Sequence, residues 1–191
     1  MQKILHILAH MGAARAYGAA SHAKRRKVGT VVTFNGSPVA CGWNGTPPGH
    51  PNQCETDDGS TTLPTVVHAE PNALDKLKGL QLVGPVEMFV TCLPCPDCAK
   101  LIAANTRVKH VFFGEAYRSL EGAKTLLDSG VELFFVHEFY GRVFKIESMA
   151  EDGNSLVMSY VTGTAPRESD KRYSEGDKRT LSVDGFIGLL P

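Results

Sequence analysis

Two short clusters carry the residue types that perform metal-assisted chemistry: His68-Ala69-Glu70 and Pro94-Cys95-Pro96-Asp97-Cys98. Cys95 and Cys98 are three positions apart, so on one helical turn both sulfurs project to the same side. With the imidazole of His68, brought in by a second helix, they form a soft three-donor set. Zinc takes such sets, and a catalytic zinc site leaves its fourth corner for water. Both clusters fall in a first helical turn, where the positive end of the backbone dipole favours a thiolate. Glu70 lies about 200° around the helix from His68, so it does not join the metal shell easily. It is suited instead to carry protons for a water whose pKa zinc lowers to about 7. A Cys-x-x-Cys pair alone also fits a redox pair, half of a structural zinc site, or chance. The two clusters together favour a catalytic ion, because a closed structural site needs a fourth side chain. Cys92 is the nearest candidate, and the Leu93-Pro94 turn is expected to aim it away.

These clusters need a scaffold, and the rest of the chain supplies one. The spacing of Ile4, Leu8, Met11 and Arg15 predicts an amphipathic helix over 2–23. Apolar runs at 28–34 and 39–43 flank Asn35-Gly36, a strong hairpin signal. A long Pro- and Gly-rich loop follows from 44 to about 64, and loops of that length in a compact domain are commonly functional. Further helices are expected at 65–78, 96–105 and 120–129, with strands at 86–91, 108–113 and 131–137. Alternating strands and ten-residue helices imply an α/β fold of three layers, a five-stranded mixed sheet with helices on both faces.

The 191 residues are 42% hydrophobic and 21% charged, with 20 basic and 20 acidic side chains. That length gives one domain with an extension, expected as 1–150 plus a polar tail over 151–191. Between Gly163 and Thr180 half of the 18 residues are charged. Such a segment buries too little apolar surface to order itself. It reads as a tail, or as an arm docking through Phe186, Ile187, Leu189 and Leu190. Zero formal charge argues against a nucleic-acid polymer as partner. No apolar run approaches the ~20 residues that span a bilayer, and no signal-peptide core is evident; a cytoplasmic protein is expected. Five cysteines, two of them in a Cys-x-x-Cys pair, suit metal chemistry better than a disulfide framework.

At these residues the chain resembles the cytidine deaminase superfamily, whose His-x-Glu and Pro-Cys-x-x-Cys signature it carries. Gly42-Trp43-Asn44-Gly45-Thr46-Pro47-Pro48-Gly49 resembles the Gly-Tyr-Asn-Gly-x-Pro-x-Gly loop of deoxycytidylate (dCMP) deaminases, and His68-Ala69-Glu70-Pro71-Asn72-Ala73 resembles their extended catalytic motif. The similarity runs over roughly residues 1 to 140. It implies a cytidine deaminase-like fold, one catalytic Zn2+ per subunit on His68, Cys95 and Cys98, and Glu70 as proton shuttle. It also implies that Asn44 holds the sugar hydroxyl or phosphate end, that the Ala69 backbone meets the pyrimidine edge, and that Tyr117 stacks on substrate or contacts its phosphate. Arg25 matches a basic position suited to the 5′-phosphate, with Arg26 and Lys27 as competitors; a solvated face is the ordinary reading of such a run. The implied reaction is hydrolysis of dCMP to dUMP and ammonia in support of dTTP synthesis. The implied assembly is a homohexamer controlled by dCTP and dTTP, with Mg2+ on the triphosphate.

The chain departs from the family pattern in two places. Pro48 stands where a polar residue is common. Some relatives hold a second, structural zinc, and here Cys54 has Ala23 and Val66 at the partner positions, so Cys54 is expected to be unliganded. Trp43 occupies the family's Tyr position, as pocket wall or core. Competing functions are a deaminase of a base in RNA or single-stranded DNA, which would add a basic channel and stacking aromatics, and a non-catalytic zinc module.

Overall fold

The computed structural model describes residues 2–163 and 178–182. One mixed sheet forms the middle layer. Its strands are β1 (Gly29–Phe34), β2 (Ser37–Trp43), β3 (Val86–Cys92), β4 (Val108–Glu115), β5 (Glu132–His137), β6 (Arg142–Met149), β7 (Ser155–Gly163) and β8 (Lys178–Ser182). They lie side by side in the order β2-β1-β3-β4-β5-β6-β7-β8. Only β3, β4 and β5 run parallel to one another; every other neighbour is antiparallel. The expected five-stranded sheet is therefore corrected: seven strands lie within 29–163, and an eighth adds at 178–182.

The additional strands arise from a missed period-two pattern. Leu156, Met158 and Tyr160 alternate along β7 towards the core under α2, α3 and α4, and Phe144 and Ile146 of β6 meet them. The boundary expected at residue 150 falls in the turn joining β6 to β7, where Gly153 has φ 66°. Residues 155–163 thus continue the sheet instead of starting a polar tail. The arm residues Phe186, Ile187, Leu189 and Leu190 lie outside the described residues.

Among the described residues helix α1 (Gln2–Ala19) alone covers one face of the sheet, while α2 (Ala69–Leu77), α3 (Pro96–Ala104) and α4 (Glu121–Asp128) pack on the other. The buried stripe of α1 is Ile4, Ile7, Met11 and Ala14, which meets Val31, Phe89 and Phe112. Arg15, read above as part of that stripe, turns outward to pair with Glu115 and Glu138 at 3.0 and 2.6 Å. The helix ends at Ala19, not 23, since the Ser21 hydroxyl accepts the Ala23 N–H and donates to the Asn44 carbonyl. The hairpin holds as expected: Asn35 (φ 49°) and Gly36 (φ 76°) both take the left-handed conformation that a tight two-residue connection requires.

Candidate active site

Two helix N-termini meet here, that of α2 after β2 and the long loop, and that of α3 directly after β3. The first, that of α2, begins at Ala69 and not at 65, because Val67 is paired to Gly45 by reciprocal backbone hydrogen bonds of 2.9 and 3.0 Å. His68 is the N-cap, in extended conformation, with its ring exposed. At α3, Cys95 is the N-cap and Pro96 the first helical residue, where its missing N–H costs nothing. The Cys98 N–H donates to Cys95 Sγ at 3.5 Å. His68 Nδ1 then lies 3.3 Å from Cys98 Sγ and 3.5 Å from Cys95 Sγ. All three donor atoms lie within 4.8 Å of one another, the one such group of three His, Cys, Asp or Glu among the described residues.

The protonation pattern suits a cation. Hydrogen bonds from the Cys98 thiol and from His68 pull the Cys95 thiol down to about 4, despite its burial. The same contacts push Cys98 and His68 upward. The three donors thus perturb one another around one point, where a dication would take the place of their mutual hydrogen bonds. Two thiolates and an imidazole are a zinc donor set, whereas a hard cation would ask for oxygen ligands.

Glu70 is 4% exposed. Burial raises its pKa, and its carboxyl also meets the Cys98 side chain. Glu70 therefore reaches the metal donors without being one of them. A buried carboxyl with a raised pKa is the proton carrier that general acid–base catalysis uses near neutral pH.

Two backbone contacts fix this arrangement. Gly42 of β2 lies directly under α2: a Cβ there would sit 2.4 Å from the Ala69 carbonyl oxygen and 2.7 Å from the Ala73 nitrogen. Gly122 of α4 presses on the other motif, where a Cβ would lie 2.0 Å from the Pro94 carbonyl oxygen.

His68, Cys95 and Glu70 line a cavity of about 910 Å³ that also contains Asn44, Ala69, Tyr117 and Arg25. Of the site residues singled out from the sequence, all but Cys98 border this space, and Cys98 lies behind it against His68 and Cys95. Asn44, 9% exposed, accepts the Val28 N–H on Oδ1 at 2.8 Å and donates from Nδ2 to the Arg26 carbonyl at 2.9 Å. Its amide holds the basic segment in place and keeps one proton and one lone pair for a ligand. Ala69, fully buried, is the first residue of α2, so its N–H has no intrahelical acceptor. Tyr117 follows β4 and carries the Arg118 guanidinium 5.4 Å from its ring centroid. The Arg25 N–H donates to buried Glu55 at 3.1 Å, and its guanidinium contacts Thr62 at 3.5 Å.

The structure also separates the competitors in the basic run and adds one cavity residue, Arg118, that the sequence reading missed. Arg26 projects inward, its Nη1 2.8 Å from Cys92 Sγ and 3.2 Å from the Ala116 carbonyl oxygen, whereas Lys27 turns away to the Ala19 carbonyl. Arg118 also borders the space. Cys92, expected as a core residue, is buried at the cavity wall, where burial pushes its thiol up to about 12. Cys54 is buried too, 1% exposed, with burial raising its pKa. Trp43 stacks on Tyr17, ring planes 1° apart, and lies under Lys76. It therefore faces a neighbouring surface cavity and not the one containing the metal donors.

A soft donor triad at two helix N-termini of an α/β sheet, with a buried glutamate behind it, is the arrangement expected of a metal-dependent hydrolytic deaminase. Residues 5–115 match the model of the cytidine and deoxycytidylate deaminase zinc-binding region, and the chain belongs to that family. The crystal structure of dCMP deaminase from cyanophage S-TIM5 in complex with dCMP and dUMP is 45% identical, with a TM-score of 0.63, covering 67% of this chain and 94% of that one. Deoxycytidylate deaminase of Enterobacteria phage T4 is 29% identical over 154 residues, 58% of this chain and 79% of the phage protein. An uncharacterised deaminase from the luxG 3′ region of Aliivibrio fischeri is 33% identical over 89 residues; the chain spans 58% of that protein's length. A diaminohydroxyphosphoribosylaminopyrimidine deaminase/5-amino-6-(5-phosphoribosylamino)uracil reductase from Thermotoga maritima, at 22% identity and TM-score 0.52, shares the fold. No helix among the described residues is long and apolar enough to cross a membrane.

Proposed function

We propose that this chain hydrolyses dCMP to dUMP and ammonia. The observation that carries the reading is the pairing, within one cavity, of a zinc-type triad and a buried carboxyl with three arginines, Arg25, Arg26 and Arg118. None of the three has a carboxylate side-chain partner among the described residues. Unpaired guanidiniums at a cavity wall favour an anionic ligand. The 45% identity to a deaminase crystallised with dCMP and dUMP supports a phosphorylated deoxycytidine as that ligand.

His68, Cys95 and Cys98 would hold Zn2+, which when bound supplies Lewis acidity and makes hydroxide available near neutral pH. The residues of the chain do the rest. Glu70 accepts the proton released as water adds across the C4–N3 bond and delivers it to N3. It then carries the proton of the new C4 hydroxyl to the exocyclic amino group, so that the exocyclic C4–N bond breaks, the C4 carbonyl forms and ammonia leaves. The Ala69 N–H is free to meet the pyrimidine edge, Asn44 the sugar, and Tyr117 with the arginines the phosphate end.

Control by dCTP and dTTP with Mg2+, a homohexamer, a cytoplasmic location and a role in supplying dTTP precursors belong to the same reading and rest on the family resemblance. Ammonia release from dCMP, deoxycytidine, cytidine, dCTP and a single-stranded oligonucleotide tests it, with zinc content measured in parallel. Turnover of dCMP well above the others is expected. Preference for the oligonucleotide, or zinc-loaded protein inert on every cytosine compound, overturns it.

A further inference from the structure

Asn44 is suspended between two fixed points, and both belong to the segment that bears the metal donor and the proton carrier. On one side Gly45 pairs with Val67, the residue before His68, through two backbone hydrogen bonds. On the other, Asn72 Nδ2 donates to the Trp43 carbonyl oxygen at 2.9 Å. Asn72 sits one turn into α2, and its own N–H donates to the His68 carbonyl at 3.2 Å. Asn44 in turn grips the Val28 N–H and the Arg26 carbonyl. Hydrogen bonds therefore run without a break from His68, through Asn72 and the Trp43–Asn44 peptide, to the strip that supplies Arg26.

From this chain of contacts we propose that Asn72 is a positioning residue, which locks the sugar–phosphate side of the cavity to the helix that carries the reacting groups. Asn72 borders the neighbouring surface cavity and not the catalytic one, so it acts through Trp43 and Asn44 and not on substrate. Lys76, one turn further on, makes the analogous contact with the Cys41 carbonyl. Lys76 also lies over the Trp43 ring, so Lys76→Ala removes a helix–strand contact at the same place without touching the bond to the Trp43 carbonyl, which makes it the control.

The inference deepens the assignment of dCMP as substrate, and its test separates the two. Asn72→Ala and the isosteric Asn72→Asp, whose carboxylate would face a carbonyl oxygen, are compared with Lys76→Ala. The Asn72 variants are expected to raise KM for dCMP about three- to tenfold. Their kcat should stay within about threefold and their zinc content should match the wild type, whereas Lys76→Ala leaves KM as it was. Amide exchange at Val28, bonded to Asn44, should quicken in Asn72→Ala and not in Lys76→Ala. That second readout needs no turnover, so it tests the coupling even if dCMP is the wrong substrate. Unchanged exchange at Val28, or an Asn72→Ala protein that loses zinc or kcat with KM unaltered, overturns the proposal.

Discussion

Replacing Arg118 by alanine tests the phosphate end of the cavity most directly. Arg118 borders the cavity, lies over the Tyr117 ring at 5.4 Å, and has no carboxylate partner among the described residues to compete with a ligand. A charge-assisted hydrogen bond contributes about 1.5–3 kcal/mol when desolvated. Because Arg118 is exposed, solvent screening reduces this to roughly 1–2 kcal/mol. That corresponds to a five- to thirtyfold fall in kcat/KM for dCMP, at about 1.4 kcal/mol per decade. Removing the cation–π interaction with Tyr117 costs the free protein under ~1 kcal/mol. Deoxycytidine has no phosphate, so its kcat/KM should be unaffected. Raising ionic strength from about 0.05 to 0.5 M should erode the dCMP preference of the wild type more than that of the variant, since the screening length shrinks below 10 Å above ~0.1 M. Steady-state kinetics on both substrates at two salt concentrations decide the matter. An equal loss for dCMP and deoxycytidine would refute the reasoning, because it would place Arg118 in the scaffold and not on the phosphate.

Glu70→Gln keeps the shape of the buried side chain and removes its proton, so turnover should fall about 10²–10⁴-fold while metal analysis still finds zinc; an active, zinc-loaded variant would sink the assigned role. Gly122→Ala forces a methyl towards the Pro94 carbonyl oxygen, 2.0 Å from the ideal Cβ position, so it should displace the Cys95 turn. A weakened zinc affinity under chelator challenge, larger than for Ala at other α4 positions, is the expected result. Across the α1 face of the sheet His110 lies between Glu87, at 3.5 Å, and Glu132, at 3.0 Å; Thr33 also bonds Glu87, Lys145 bonds Glu132, and Lys3 adds its field. Glu87, and more weakly Glu132, raise the His110 pKa above 6.5, so this stabilisation is complete below about pH 6.5 and fades as pH rises through the folded value. His110 and Lys145 hold Glu87 and Glu132 respectively below 4.5, so their stabilisation is present above that and fades on acidification. The melting temperature should therefore fall as pH rises above about 6.5, and His110→Gln should flatten that slope. An unchanged slope in the variant refutes this.

The clustering of His68, Cys95 and Cys98 with Glu70 was legible because the residues are local: three donors and a glutamate within two short motifs, each with a recognisable helix start. The central α/β order was legible too, through Asn35-Gly36 and the apolar runs of β3, β4 and β5. What escaped notice depended on non-local contacts. β6 and β7 were hidden behind the charged stretch that follows them, although Leu156, Met158 and Tyr160 alternate cleanly. Helix α2 starts late because Val67 pairs with Gly45, a partner 22 positions away that no local propensity predicts. The roles of the basic run were likewise set by tertiary partners. Arg26 points inward to Cys92 and Ala116, and Lys27 points back to Ala19. Arg118 carried no signal beyond its place beside Tyr117.

The bare backbone contacts at Gly42 and Gly122 also bear on how this fold can drift over evolution. The spacing between the two ligand-bearing turns is fixed where main chain touches main chain, with no side chain as spacer. Hydrophobic residues elsewhere in the interior can then be exchanged generation after generation without retuning the catalytic dimensions. These two positions cannot gain even a methyl group without moving a metal donor or its helix. Substitution tolerance should therefore be broad in the packed layers and almost nil at this pair of glycines.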